Sequence, residues 1–498
     1  MTIPAQQEEV AALLAQITMV APIETHISAV FVGATEAFKL KKAVTLPFLD
    51  FAPLAARAQF CRRELELNRP NAPAIYRDVL PVTRAADGTL ALAGPGEVVD
   101  WVLRMAPVPA GDFLDVIAAR GGLDGALLDA LADTAAALVA AAPVRTGVDS
   151  AARMRLVLAG NLAGCRQVGF DAGRLAAIEA AMLARLEALA PLLAARAGAG
   201  FVRRCHGDLH LGNLCLWDGR PVAFDALEFD EAFAAIDIGY ELAFLLMDLD
   251  VRVSRAAANR VMNRIMARAP DPGMLAGLPF WMAQRALVRA KLEPARGRDG
   301  LPYLAAAEDY LRPAPPRLVA VGGLQGTGKT WVARGLAPAL GVAPGALHLR
   351  SDEIRKRRAG VAPETRLPPE AYRPEESAAV HAEIFALARA ALAAGQSVVL
   401  DAMFLDPAMR AAAEAVAAPH PFAGFWLEAP LGLLRARVAG RGADASDATV
   451  EVLERAAAAD PGPVAWTRLD AAGDALGAAR AALGLASAPL ALKDEAGA

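Results

Sequence analysis

Cysteine is scarce: four in 498 residues, Cys61, Cys165, Cys205 and Cys215, with no CxxC pair. That argues against a disulfide framework and fits a reducing compartment, the cytoplasm. Positive charge is missing from the start of the chain, with no Lys or Arg before Lys39. A secretory signal opens on a positive segment, so none is read here. Long apolar runs are missing as well. The alanine-rich stretch from Gly125 to Val144 is interrupted by Asp129 and Asp133. No apolar run reaches the roughly 18 residues of a membrane span, so no membrane partner is expected. Aromatics make up only 6% and the net charge is -4, which argues against a protein that coats nucleic acid but leaves room for a local basic site.

What is present is a large apolar fraction, 55%, much of it alanine, enough for sizeable helical cores. At roughly 150 residues per domain the length suggests about three units. An amphipathic helix is expected over 1–20, and strands over 26–33 and 36–44 around Gly33-Ala34-Thr35. A charged helix follows over 53–70, then strand-like segments with a hairpin turn at Asp87-Gly88. From about 111 to 200 the pattern changes to long Ala/Leu helices. Short strands, LCLWDG and PVAFDAL, precede a return to helix over 232–312, with 236–249 strongly apolar. Pro313, Pro315 and Pro316 cannot continue a helix and read as a linker. Beyond them, strands at RLVAV, 346–350, 397–401, 422–427 and 463–467 alternate with helices, which argues for a parallel sheet. Residues 488–498 read as a frayed tail.

Two constellations carry chemistry. The first is CHGDLHLGN, Cys205 to Asn213, with Asp225 twelve residues later in VAFDALEFD. Phosphoryl transfer asks for a positioned hydroxyl, neutralised phosphates and held metal ions. Asp208 would accept or orient a hydroxyl proton, while Asn213 and Asp225 offer the hard oxygen ligands that Mg2+ prefers. Cys205, His206, His210 and Cys215 could be read as a zinc set, but their spacing does not match the paired-ligand pattern. His206 reads as a structural residue bonding the backbone near Asp225. Glu228 and Asp230 could add to the metal site or be solvated.

These residues resemble the aminoglycoside phosphotransferase/choline kinase-like branch of the protein-kinase fold. The resemblance implies an α+β two-lobed kinase over 1–312, with an N-lobe at about 21–108 and a helical C-lobe at about 109–312. The strand lysine of that family maps best to Lys39 and its helix glutamate to Glu64, with Lys41 and Glu66 as close rivals and Lys42 beside them. Asp237 resembles its structural aspartate. No G-x-G-x-x-G precedes Lys39; only Gly33 is present.

The second constellation is GLQGTGKT, Gly323 to Thr330, directly after an apolar strand and before a helix. It fits G-x-x-x-x-G-K-[ST] in full. Gly323, Gly326, Thr327 and Gly328 would wrap phosphates with backbone N–H groups at a helix N-terminus. Lys329 would reach the outer phosphates, and Thr330 would ligate Mg2+ together with the strand-end Asp401. Asp352 and Arg355 look like the substrate side of small P-loop kinases, with Asp352 as the base. Arg355-Lys356-Arg357-Arg358 could equally be a solvated helix face. Arg437 and Arg441 resemble lid arginines that close over phosphates, and Arg441 is the catalytic candidate. Residues 313–487 thus resemble P-loop kinases of the gluconate kinase, polynucleotide kinase and zeta-toxin kind. This implies an α/β P-loop NTPase domain with a parallel five-stranded sheet.

The order of the two blocks resembles bacterial proteins in which an aminoglycoside phosphotransferase-like domain is fused to an ATPase domain. The expected function is an ATP- and Mg2+-dependent, bifunctional phosphotransferase acting on a hydroxyl of a small molecule. Two alternatives stand beside it. One is an ATP-regulated switch with slow or no transfer. The other is a P-loop half acting as a polynucleotide 5'-kinase, for which Arg355 to Arg358 are the only support.

Overall fold

The computed structural model describes residues 2–46, 49–440 and 445–486. The chain divides into two compact units. One gathers Met1–Gly122, Ala137–Val148 and Ala197–Glu241, the other Leu123–Ala136, Asp149–Arg196 and Leu242–Ala498.

The first unit is built on an antiparallel six-stranded sheet. Its spatial order is Ile23–Glu24, Ser28–Val32, Ala37–Lys41, Glu97–Met105, Tyr76–Arg84 and Leu90–Leu92. Side chains alternate between the faces of a strand. In Ala37–Lys41 this sends Phe38 and Leu40 into a core with Val10, Leu14, Phe31 and Val102. Lys39 and Lys41 are thereby placed on the opposite face. The hairpin expected at Asp87-Gly88 closes there, with Gly88 at φ 87° and Asp87 Oδ1 accepting the Thr89 N–H at 2.9 Å.

Helix Leu54–Asn68 follows Pro53 and consists mostly of good helix formers. Its buried side includes Arg57, Cys61, Glu64 and Asn68. The CHGDLHLGN loop is held at both ends. Strand Val202–Arg204 pairs with Ala235–Asp237 before it, and Leu214–Trp217 forms a hairpin with Arg220–Ala223 after it. The hairpin turns on Asp218 and Gly219, both at positive φ, the two-residue geometry that matches strand twist. The apolar helix expected from 236 begins at Ile238, because Ile236 and Asp237 are used as strand residues.

In the second unit, long helices include Ser150–Val168, Arg255–Arg268 and Pro272–Leu292. A five-stranded sheet follows, all parallel. Its order is Leu347–Arg350, Val398–Asp401, Leu318–Gly323, Phe422–Glu428 and Thr467–Asp470. The last strand was expected over 463–467 but starts at Thr467. Pro461 and Pro463 precede it, and proline has no N–H to give a ladder. The sheet core joins Val319, Val321, Val399, Phe425 and Leu427 to Val332 and Leu336 of helix Lys329–Leu336. Among the described residues no helix is long and apolar enough to cross a membrane. The tail at 488–498 lies outside the described residues.

Candidate active sites

In the first unit, Lys39 Nζ lies 2.7 Å from Glu64 Oε1 and 2.6 Å from Asp225 Oδ1. Lys41 Nζ lies 2.7 Å from Glu64 Oε2 and also contacts Glu228. The two lysines share a face because they are two residues apart on a strand. Glu64 is completely buried between them. Burial alone would raise its pKa, but Lys39 and Lys41 together bring it down to about 2. Burial likewise opposes the charge on Lys39, and Asp225 with Glu64 outweighs it, so its pKa stands well above the ordinary lysine value.

The structure separates the rivals left by the sequence. Lys39 reaches Asp225, whereas Lys41 is fully buried against Glu64 and Glu228. Glu66 pairs with Arg63 on the exposed side of the helix, and Lys42 pairs with Glu24. Glu228 is therefore buried against Lys41 and not solvated. Asp230 instead caps helix Glu231–Ala234 through the N–H groups of Ala232 and Phe233.

Asp225 is anchored by its backbone. Its N–H donates to Tyr76 Oη at 3.0 Å, and the next N–H, of Ala226, donates to Asn68 Oδ1 at 2.8 Å. Asp225 stands at φ 60°, a left-handed conformation that aspartate tolerates better than most residues. A His206 ring nitrogen lies 2.8 Å from the Phe224 carbonyl, and burial lowers that ring's pKa. Gly207 sits at φ 89° with its N–H on both Glu241 carboxylate oxygens at 3.1 Å. Tyr76, Asn68 and Glu241 were not found by sequence reasoning. Nothing in their spacing relative to Asp225 or Gly207 marks them.

Asn213 donates its amide nitrogen to Asp208 O and Asp208 Oδ2, each at 2.9 Å. Its side-chain carbonyl oxygen is then the atom that can face a cation. Asp208 and Asp225 remain accessible, with side chains 41% and 42% exposed. An amide oxygen and a carboxylate are hard donors, so this pair fits Mg2+. The four residues of the zinc alternative are used otherwise: Cys205 Sγ lies 3.6 Å from Ile236 O, and Cys215 is buried in an apolar core. Among the described residues no group of three or more His, Cys, Asp or Glu is arranged to hold a metal. Asp237 Oδ1 accepts the Gly239 N–H at 2.7 Å, a purely structural bond.

In the second unit, Gly323, Gly326 and Gly328 stand at φ 135°, 82° and 81°. A Cβ on Gly323 would lie 2.5 Å from Leu427 O, so that position needs glycine on steric grounds as well. Thr327 Oγ1 and Lys329 Nζ both donate to Leu324 O, at 2.8 and 2.9 Å, which closes the loop on itself. Thr330 Oγ1 donates to Asp401 Oδ2 at 2.6 Å. The same oxygen lies 3.4 Å from His348 Nε2 and 3.5 Å from Arg350 Nε. Burial would raise the Asp401 pKa, but His348 and Arg350 hold it well below the usual carboxylate range. A hydroxyl beside a charged carboxylate again fits Mg2+.

Asp352, second residue of helix Ser351–Arg358, has its pKa raised by burial, which Arg350 offsets in part. Arg355 donates to Ala371 O at 2.6 Å and stacks on the Tyr372 ring at 4.7 Å. Lys356 pairs with Asp447 at 2.5 Å, while Arg357 and Arg358 pair with Glu383. Arg355 and Lys356 are thus buried, Arg357 is half-buried, and Arg358 is exposed but ion-paired. Arg437 donates to Gly326 O at 3.3 Å and Ala471 O at 3.0 Å, beside the phosphate loop. Arg441 lies outside the described residues. His348, Arg350 and Asp447 were missed. The first two are on the strand that sequence reasoning did find, with Arg350 in register with Asp401.

Residues 44–277 match the family model described as Phosphotransferase enzyme family, and residues 318–460 match that described as AAA domain. An uncharacterized protein of Mycobacterium tuberculosis is 29% identical over 472 residues, covering 90% of this chain and 92% of that protein. The chain is also similar to a gluconokinase from Sinorhizobium meliloti. That structure is 24% identical with a TM-score of 0.25, and the match covers 35% of this chain and 94% of that one. A choline kinase from Cryptosporidium parvum is 10% identical with a TM-score of 0.38, covering 59% of this chain and 87% of that one. The chain is thus similar to a phosphotransferase-family domain over 44–277 and to an AAA domain over 318–460, and it is a kinase-type enzyme.

Proposed function

We propose that the protein is a bifunctional phosphotransferase, with domains dividing near residue 312, each moving the γ-phosphoryl group of ATP to a hydroxyl of a small molecule. The observation that carries this reading is Lys39, bridged between Glu64 and Asp225. It sets a cation beside the carboxylate that would hold metal, in the same unit as the Asp208–Asn213 loop. Lys39 would neutralise nucleotide phosphates, with Glu64 holding it in place. Asp208 would orient the acceptor hydroxyl and take its proton. Asn213 and Asp225 would hold Mg2+, which supplies charge neutralisation on the phosphates when bound.

In the second domain the roles would be parallel. The Gly323–Thr330 loop would wrap the phosphates, Lys329 would turn from Leu324 O to them, and Thr330 with Asp401 would hold the metal. Asp352 would act as the base and Arg441 would close over the phosphates. Positioning and charge neutralisation would supply most of the rate in both domains. The pairing of Lys356, Arg357 and Arg358 with acids counts against the polynucleotide 5'-kinase alternative.

A phosphorylation assay over a metabolite panel tests the reading, run in parallel on wild type, Asp208→Ala and Lys329→Ala. Two products, each lost in one variant only, is the expected result. Turnover unchanged in Asp208→Ala would sink the first assignment. A single turnover that needs both residues would instead establish the ATP-regulated switch.

A further inference from the structure

Strand Leu347–Arg350 lies at one edge of the P-loop sheet and, among the described residues, pairs on one side only, with Val398–Asp401. An edge strand leaves a row of backbone groups unpaired. Here that row is met by asparagines of helix Arg255–Arg268. Asn263 Oδ1 accepts the His348 N–H at 2.7 Å, and Asn263 Nδ2 donates to Ala346 O at 3.2 Å. Asn259 Nδ2 also donates to Ala346 O, at 3.0 Å, and the two asparagines are bonded to each other.

A carboxamide has the donor and acceptor of a peptide group. In a parallel ladder, one residue of the neighbouring strand donates to the carbonyl of residue i−1 and accepts from the N–H of residue i+1. Asn263 does both around Leu347, so it stands in for a residue of a sixth strand.

The consequence reaches the metal-side carboxylate. His348 and Arg350 lie two residues apart on this strand, share a face, and both approach Asp401 Oδ2, the oxygen that receives Thr330 Oγ1. The helix is itself firmly held. Arg260 grips Asp129 at 2.8 Å, Arg264 grips Asp133 at 2.7 Å and Glu364 at 2.8 Å, and Arg268 grips Asp133 at 2.7 Å. Arg357 Nη1 adds a bond to Ala267 O at 2.9 Å.

We propose that Asn263 is a positioning residue for the P-loop site, acting through His348 and Arg350 on Asp401. The segment matching the phosphotransferase family includes this helix, so one family domain sets the metal side of the other. The inference rests on the P-loop reading above and names a residue that positions that site.

The test uses full-length protein with Asp225→Asn as background, which removes the carboxylate that would hold metal in the first unit, alone and with Asn263→Ala or Asn263→Asp. In the nucleotide-free state, amide exchange at His348 should rise about threefold to tenfold in Asn263→Ala, the worth of one net hydrogen bond. Asn263→Asp keeps the acceptor and should stay near the background. Calorimetric titration of ADP at increasing Mg2+ should show the half-saturating Mg2+ concentration raised several-fold in Asn263→Ala, with affinity for metal-free ADP unchanged. A Mg2+ dependence that does not move overturns the proposal, whatever happens to stability. Should Asn263→Ala fail to fold, Asn263→Asp decides: it keeps the His348 bond but loses the donor to Ala346 O, so its half-saturating Mg2+ concentration should rise above the background, and an unmoved value overturns the proposal. Lys329→Ala is measured alongside. If it leaves ADP affinity unchanged, the P-loop reading falls and this proposal with it.

Discussion

Replacing Glu64 with glutamine removes one negative charge from between two buried ammonium groups, each 2.7 Å away. The displacement of the Glu64 pKa from its ordinary 4.5 to about 2, at about 1.4 kcal/mol per pH unit, is worth about 3 kcal/mol. A second route gives a similar figure. Breaking a buried ion pair by removing one partner costs roughly 3–5 kcal/mol. The low end applies, because Lys39 keeps Asp225 and Lys41 keeps Glu228. For a cooperative unit of roughly 150–250 residues, about 3 kcal/mol lowers Tm by about 6–12 °C.

The pH dependence has a definite sign. A depressed carboxylate pKa contributes stability that is complete above the unfolded value near 4.5 and is lost as pH falls through about 2. The gap between wild type and Glu64→Gln in urea unfolding should be constant from pH 7 to 5 and narrow below about 4.5. Adding Lys41→Met should deepen the loss, because it leaves Glu228 buried without its cation. A gap below about 1 kcal/mol at pH 7, or one that stays constant down to pH 3, would refute the claim that Glu64 is the shared counter-ion.

Tyr76→Phe leaves the Asp225 N–H without its acceptor and should cost about 1–3 kcal/mol in urea unfolding, together with lower Asp208-dependent turnover. An unchanged urea midpoint would show that water replaces the phenol. Asp208→Ala should lower the first activity on the order of 10²–10⁴-fold, read as initial rate at saturating substrate. Thr330→Val keeps the shape of the side chain but removes the hydroxyl on Asp401, so P-loop-dependent turnover should need several-fold more Mg2+. Because burial raises the Asp352 pKa, the ionised base is lost as pH falls through a value above the ordinary aspartate's. The acid limb of the P-loop pH–rate profile should therefore lie above about 3.9, and Asp352→Asn should abolish the activity it limits.

The candidate site residues were legible where chemistry demands fixed spacing along the chain. The Asp208–Asn213 pair occupies one loop and GLQGTGKT another, and each sits where strand meets turn or helix. Apolar alternation located most strands, and failed at 463–467, where proline spacing hid the start at Thr467. It could not choose between Lys39 and Lys41, because two residues on one face of one strand differ only in what the fold brings opposite them.

The sequence by itself therefore determined the kinase-type reading, the position of the GLQGTGKT turn, the parallel sheet and which carboxylates are candidates, all properties of short segments. Only the tertiary structure decided that Lys39 rather than Lys41 meets Asp225, and that Glu228 is buried against Lys41. It also decided that Arg355 to Arg358 are already partnered, and that Asn263 completes the edge of a distant sheet. Each of these depends on burial and on partners far apart in the chain. The free energy of a buried charge is set by the group that faces it, and no local pattern records that group.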